Sequence, residues 1–322
     1  LKRLQNKIAG SRLSLPTMAI VGVAVWMLAG AISQWLWLQF ACFVFSSYIM
    51  VELNTTFVLL RTYSRMVSCA FIMLYCCSAF LFPRADCGIL ALCYAASLMP
   101  FFHSYQDRLS TGWTFYAFLP IGIASLVWQQ VLFFLPVEWM LMVFCLRSMS
   151  WRTFFASILG IIAPYWFVML YFIYAEDWET PMQHFASMAD FSPIFAISEP
   201  AATRAFWNTF GFQRVASFLF IVTLFTIGSV HHWRTKFLDR VNTRMYYDVF
   251  ILNGIAAIVF AVLQPQYFDL LLTVLIVCTS PVIAHFITHT HKRITNITFI
   301  AILALALALI VFNILMPLKA TT

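Results

Sequence analysis

The chain has 322 residues, of which 63% are hydrophobic and only 10% charged, against roughly 45–50% and about 25% in an average soluble domain. So few polar residues cannot cover a globule of this size with a hydrated exterior, which excludes an ordinary soluble fold. The net charge of +7 invites a nucleic-acid partner, but the basic residues lie in short blocks between apolar runs, so no nucleic acid is expected and membrane orientation explains them better.

Only helices and closed barrels satisfy their backbone groups in lipid. A barrel would show about ten-residue stretches of alternating polarity, whereas the apolar runs here are continuous and longer. The sequence therefore predicts an all-α, polytopic transmembrane bundle. About eleven spanning helices are expected, taken in order as Leu15 to Ile32, Trp35 to Val51, Met66 to Pro83, Cys87 to Phe102, Trp113 to Val127, Val131 to Leu146, Thr153 to Tyr174, Val215 to Val230, Val249 to Leu263, Tyr267 to Ile287 and Ile294 to Met316. The fifth and sixth are short and interrupted by Pro120 and Pro136, so a hairpin that does not fully cross is the alternative there. Many Trp and Tyr residues fall at the ends of these runs, as in an interfacial aromatic belt.

With the N-terminus in the cytoplasm, 15 of the 19 Lys and Arg lie inside, and only Arg84, Arg204, Arg214 and Lys319 fall outside. The positive-inside rule selects that orientation, with the C-terminus outside. Lys2 to Arg12, the following apolar stretch and Ala29-Gly30-Ala31 imitate a secretory signal, but a retained first helix is the ordinary state of a polytopic protein. The eight cysteines lie almost all within apolar runs and form no C-x-x-C pair, so they read as small hydrophobes. No glycine-rich phosphate loop or soluble domain is evident, and residues 1–322 form a single transmembrane domain with no cofactor expected.

One long outer loop, at about 175–214, carries Glu176, Asp177, Glu179, Asp190 and Glu199 with His184, Arg204 and Arg214. Its aromatic residues, among them Phe185, Phe191, Phe195 and Trp207, suggest short helices in the outer interface. A functional reading makes it a lid, in which Arg204 and Arg214 grip a phosphate while His184 or a carboxylate such as Glu199 moves a proton. The bland reading is an amphipathic cap with solvated charges, and no spacing in the loop demands catalysis.

Glu138 lies inside the sixth apolar run. A turn near Trp128 to Gln130 would place its carboxylate about 12 Å below the outer end of its helix. A charge there must be paired, protonated or facing water, so Glu138 is a candidate for proton or cation coupling, against a hydrogen-bonded core carboxyl or a residue of the turn. Six of the seven histidines, His103, His231, His232, His285, His289 and His291, fall at cytoplasmic helix ends. His285 and His289 share a helix face and form a candidate metal pair with Asp107 or Asp239, but the usual Glu after the first His is absent and separate interfacial histidines are commoner, so no metal is predicted. Pro164 and Pro281 interrupt the seventh and tenth helices, where kinks are the ordinary reading and freed carbonyls the functional one. Glu52 and Asn54 are expected to meet Arg61 and Arg65 across a short loop.

Glu52-Leu53-Asn54-Thr55-Thr56-Phe57, Gly122-Ile123-Ala124-Ser125-Leu126, Trp151-Arg152-Thr153-Phe154-Phe155-Ala156, Gln264-Pro265-Gln266-Tyr267-Phe268-Asp269, and Ser280-Pro281 with Ala284-His285 together resemble a family of polytopic inner-membrane proteins from Bacteroidota. The resemblance implies a Gram-negative inner membrane with periplasm as the outer side, and it carries over no activity and no site residues. The functional expectation is an envelope-biogenesis protein handling a lipid-linked or amphipathic substrate, with membrane lipids or a membrane-protein partner around it. On the enzyme side, a polyprenyl-phosphate glycosyltransferase or O-antigen ligase or polymerase would use Arg204, Arg214 and Asp269 for substrate and Glu138, His184 or Glu199 for catalysis. An ion-coupled transporter or a scaffold subunit is the other class, and would need Glu138 to face a watery path or no cavity at all.

Overall fold

A computed structural model describes residues 4–176, 178–186, 188 and 200–315, with 200–210 described by backbone alone. Among the described residues the chain is helical nearly throughout and has no strand, which is the only open-chain solution for a backbone deprived of water. The helices are α1 (Leu4–Ala9), α2 (Ser14–Leu28), α3 (Trp37–Phe57), α4 (Met66–Cys76), α5 (Ala85–His103), α6 (Thr111–Val127), α7 (Leu135–Phe144), α8 (Trp151–Ala175), α9 (Glu179–Ala186), α10 (Pro200–Thr235, broken at Gly211), α11 (Val241–Leu263), α12 (Phe268–His289) and α13 (Arg293–Leu315).

Seven of these segments are long and apolar enough to cross a membrane: α3, α5, α8, α10 from Gly211 onward, α11, α12 and α13. The chain is thus an integral membrane protein. The other four apolar segments, α2, α4, α6 and Gln129–Phe144, have 10–17 residues and at about 1.5 Å per residue fall short of a hydrocarbon core about 30 Å thick. Eleven full-length crossings were expected, and the difference lies in how the short runs end. The run from Met66 stops as α-helix at Cys76 and continues as a 3-10 turn over Ala79–Leu81. Gln129–Phe134 is likewise 3-10 and passes directly into α7, whose Pro136 sits in the first turn where its missing N–H is harmless. Pro100, Pro120, Pro164 and Pro281 all remain inside continuous helices.

Contacts between the connecting turns define two ends of the bundle. At the first, Arg61 meets Asp239, the Tyr247 hydroxyl donates to the Leu59 carbonyl, the Gln106 N–H donates to the Leu146 carbonyl and Gln5 Nε2 donates to the Ile287 carbonyl. At the second, Arg84 and Arg214 share Asp269, Gln130 donates to Tyr267, and Ser217 and Asn313 both donate to the Cys77 carbonyl. Successive apolar segments therefore run alternately up and down. Among the residues whose side chains are described, every Lys and Arg except Arg84 and Arg214 belongs to the first end, called here the basic end. Arg61 does not make the expected ion pair with Glu52: it turns to Asp239, while Glu52 accepts from Thr56 and Asn54 donates to the Ser64 carbonyl.

α12 is the axis of the molecule, buried along almost its whole length. α8 is the opposite case, with Trp166, Phe167, Leu170 and Tyr171 turned outward on a face that only hydrocarbon would cover. It nevertheless seats closely on α6 through a reciprocal pair of glycines. A Cβ on Gly122 would stand 2.6 Å from the Ile161 carbonyl oxygen, and one on Gly160 would stand 2.6 Å from the Phe115 carbonyl oxygen. Between lipid-embedded helices such close approach replaces the hydrophobic drive available in water. Gly122→Val should therefore force α6 and α8 apart and cost about 1–3 kcal/mol, read as a lowered unfolding midpoint in detergent. Gly112→Ala, where nothing lies within 4 Å, should leave that midpoint unchanged.

Candidate metal centre

α10 finishes at the basic end with His231 and His232 in its last turns. A single 3-10 turn, Lys236–Leu238, then brings the chain to Asp239 in extended conformation, so that its carboxylate folds back toward the helix just left. Arg244 pins this reversal by donating from Nε to the Asp239 carbonyl and from Nη2 to the Phe237 carbonyl, each at 2.9 Å. From the neighbouring axis helix, His285 Nε2 reaches Asp239 Oδ2 at 3.1 Å, and His232 Nδ1 stands 3.9 Å from the same oxygen. Arg61 Nε lies 2.7 Å from Oδ1, off the line of a hydrogen bond, so the contact is one of charge.

His232, Asp239 and His285 are all buried. Their ligand atoms, one from each residue, lie within 4.8 Å of one another. Two more imidazoles close the group: the His289 ring is 4.5 Å from that of His285, and the His231 ring 5.6 Å. Tyr247 forms the floor, its ring 4.7 Å from His232 and 4.9 Å from His285. Burial alone would push the Asp239 carboxyl up, but the His285 hydrogen bond and the neighbouring Arg61 guanidinium hold it below the usual carboxylate range.

The hydrogen bonds of the cluster do not close. Both ring nitrogens of His232, Nδ1 of His285, and Nε2 of His231 and of His289 are buried without a hydrogen-bond partner. A buried polar atom left this way costs about 1–3 kcal/mol, and native structures rarely gather several at one place. Neutral imidazole and ionised carboxylate are what a borderline transition metal takes as ligands. Ligands bonded at about 2.1 Å in a tetrahedral site stand about 3.4 Å apart, so a pair at the 4.8 Å limit found here must close by about 1.4 Å on binding an ion.

Sequence reasoning found part of this group. His285 and Asp239 are in it, but the second histidine beside that carboxylate is His232, with His289 packed against His285. Asp107 is elsewhere, accepting from the Leu109 N–H. His103 stacks on Trp113, and His291 pairs with Asn6. The histidines at this end are therefore not separate: four of them converge. The overlooked signal was the adjacent pair His231-His232 followed by Asp239, whose spacing becomes meaningful only once the 3-10 turn folds the chain back.

The remaining candidates fall into two other places. At the second end, Asp269 is buried between two guanidinium groups. Arg214 grips it through two bonds, Nε to Oδ1 at 2.9 Å and Nη2 to Oδ2 at 3.0 Å. Arg84 Nη1 adds a bond of 3.0 Å while also gripping Asp86. Burial opposes the Arg84 charge, yet Asp86, Cys87 and Asp269 beside it raise its pKa above the ordinary value. Arg214 and Asp269, both expected to bind substrate, thus bind each other. His184 packs on the α6 end instead, with Nδ1 2.5 Å from Gln129 Nε2 and Nε2 3.2 Å from the Ser125 carbonyl oxygen. Glu199 and the Arg204 side chain lie outside the described residues, so the described part of the loop assembles no phosphate grip.

Glu138 lies in the first turn of α7, within the helix and not in the preceding turn, and is 3% exposed. Its Oε1 accepts from Asn253 Nδ2 at 3.1 Å. It is a hydrogen-bonded core carboxyl.

No family model, no curated protein and no solved structure matches the chain.

Asp269→Ala should cost about 3–5 kcal/mol by leaving two guanidiniums facing each other, seen as loss of monodisperse protein on extraction or a steep fall in thermal midpoint. Glu138→Gln, which keeps an acceptor for Asn253, should leave the midpoint nearly unchanged. Glu138→Leu should lower it by stranding the buried amide. Equal effects of Gln and Leu would remove that hydrogen bond from the account.

Proposed function

We propose that this is a multi-pass membrane protein built around a divalent transition-metal centre, with His232, Asp239 and His285 as ligands. The observation that carries the reading is the set of buried imidazole nitrogens left without partners around one buried carboxylate. A single ion held by three of these residues would relieve several unpaired atoms at once. It would also tie together α10, the turn after it and the axis helix α12, whose polar contacts at this point are one hydrogen bond and one charge contact. His289 or His231 is placed to supply a fourth ligand. Four protein ligands make a closed tetrahedral zinc site, which serves folding and regulation more than catalysis.

The finer topology belongs to the same proposal. All eleven apolar segments cross, the four short ones with local thinning of the bilayer, and the chain is lengthened by 3-10 turns after α4 and before α7. The concentration of Lys and Arg at one end supports a cytoplasmic position for that end, the metal centre and the N-terminus. The resemblance to inner-membrane proteins of Bacteroidota supports a Gram-negative inner membrane; a role in cell-envelope biogenesis beside membrane lipids is part of the same proposal and draws nothing from the resemblance. An outer-face enzyme acting on a lipid-linked phosphate draws no support from Arg214, because its guanidinium is engaged with Asp269.

Protein purified without chelator from zinc-supplemented cells should carry about one equivalent of metal by inductively coupled plasma mass spectrometry. His232→Ala, Asp239→Asn and His285→Ala should each lose most of it, while His103→Ala retains it. Chelation should lower the thermal midpoint of the parent and not that of the metal-free variants. A well-folded parent with no bound metal, or equal metal content in parent and all three variants, overturns the proposal.

A further inference from the structure

α1 is too short to cross anything, and its position is fixed by the end of the axis helix. Gln5 donates from Nε2 to the Ile287 carbonyl at 2.6 Å and to Thr290 Oγ1 at 2.8 Å, and its own N–H donates to Asn296 Oδ1 at 3.1 Å. This lays α1 across the basic end of the bundle. Beneath it, between α2, α4 and α13, runs a groove of about 370 Å³ lined by Ile8, Ser11, Thr17, Met66, Ile287 and Leu303 among others. The lining is almost entirely apolar along α4 and α13, and its hydroxyl groups, Ser11, Ser14 and Thr17, are gathered at the α1–α2 side.

The charged residues that adjoin the lining residues in the chain are all of one sign. Arg12 stands between the lining residues Ser11 and Leu13, Lys7 precedes Ile8, and Arg65 precedes Met66. Among the described residues no Asp or Glu falls within the segments 4–18 and 64–73 that supply most of the groove. An apolar slot at the level of a membrane surface, with hydroxyls at its neck and cations at its rim, has the polarity profile of a lipid: chain, glycerol ester, phosphate. We propose that this groove binds one anionic phospholipid, with an acyl chain lying between α2, α4 and α13 and the headgroup phosphate against Arg12, Arg65 and Lys7. Uncharged hydrocarbon would fill the slot equally well from any lipid, so the basic rim is what makes the site selective for an anionic headgroup. The site is distinct from the metal centre and stands whether or not metal binds.

The test is native mass spectrometry of the full chain released from detergent after exposure to phosphatidylglycerol or to phosphatidylcholine of the same acyl composition. The parent should retain one phosphatidylglycerol in clear preference. Each basic residue beside an anionic headgroup contributes about fivefold, so Arg12→Gln with Arg65→Gln should cut that preference about 30-fold. Thr17→Trp, at an exposed position of α2 that lines the groove, leaves both arginines in place and fills the slot, and should reduce retention of both lipids. It serves as the decisive variant if the double arginine variant fails to assemble. Equal retention of the two lipids by the parent, a preference undiminished in the arginine variant, or full retention in Thr17→Trp would each overturn the proposal. Occupation of the groove by a copurifying protein helix in place of lipid would do so too.

Discussion

An ionisable group inside a bundle surrounded by lipid has no water to fall back on, and this constraint organises the molecule more than any apolar contact does. Hydrocarbon gives helices little reason to prefer each other over lipid, so the specific contacts are polar ones and close backbone approaches. The axis helix shows it most clearly. α12 is buried nearly from end to end, yet it carries Asp269 at one end and His285 at the other, and each is the hub about which neighbouring segments assemble.

The two hubs differ in a way that separates structure from function. At Asp269 the charges are balanced locally, and Arg84 and Arg214 fill the carboxylate's acceptor sites. Nothing there asks for a ligand. At Asp239 the polar atoms exceed their partners, since buried imidazole nitrogens from two helices find no donor or acceptor among the described residues. A carboxylate whose partners are complete describes a structural joint, and a buried cluster left short of several partners is what supports the proposed metal centre. Both were built from residue types that looked equally suggestive in the chain.

The metal centre and the groove meet on α12. Ile287, whose carbonyl receives Gln5 and whose side chain lines the groove, lies between His285 and His289. α1 is thereby tied to the same turn of helix that offers the imidazoles, so a shift of that turn on loading metal would be felt at the lipid-facing slot. The short helices α2 and α4, which line that slot, end before a full membrane thickness.

Composition and periodicity alone determined the solvent, the helical class and the polarity of the two ends, because lipid imposes length and charge rules that act on each segment separately. They also located Glu138 within an apolar run and marked His285 as a candidate ligand. Only tertiary structure decided the rest. That Arg214 and Asp269 neutralise each other, that Arg61 answers Asp239 and not Glu52, and that His232 joins His285 are facts about residues 46 or more positions apart, and no local rule reaches that far. The 3-10 turns after α4 and before α7 were likewise not legible in the apolar pattern.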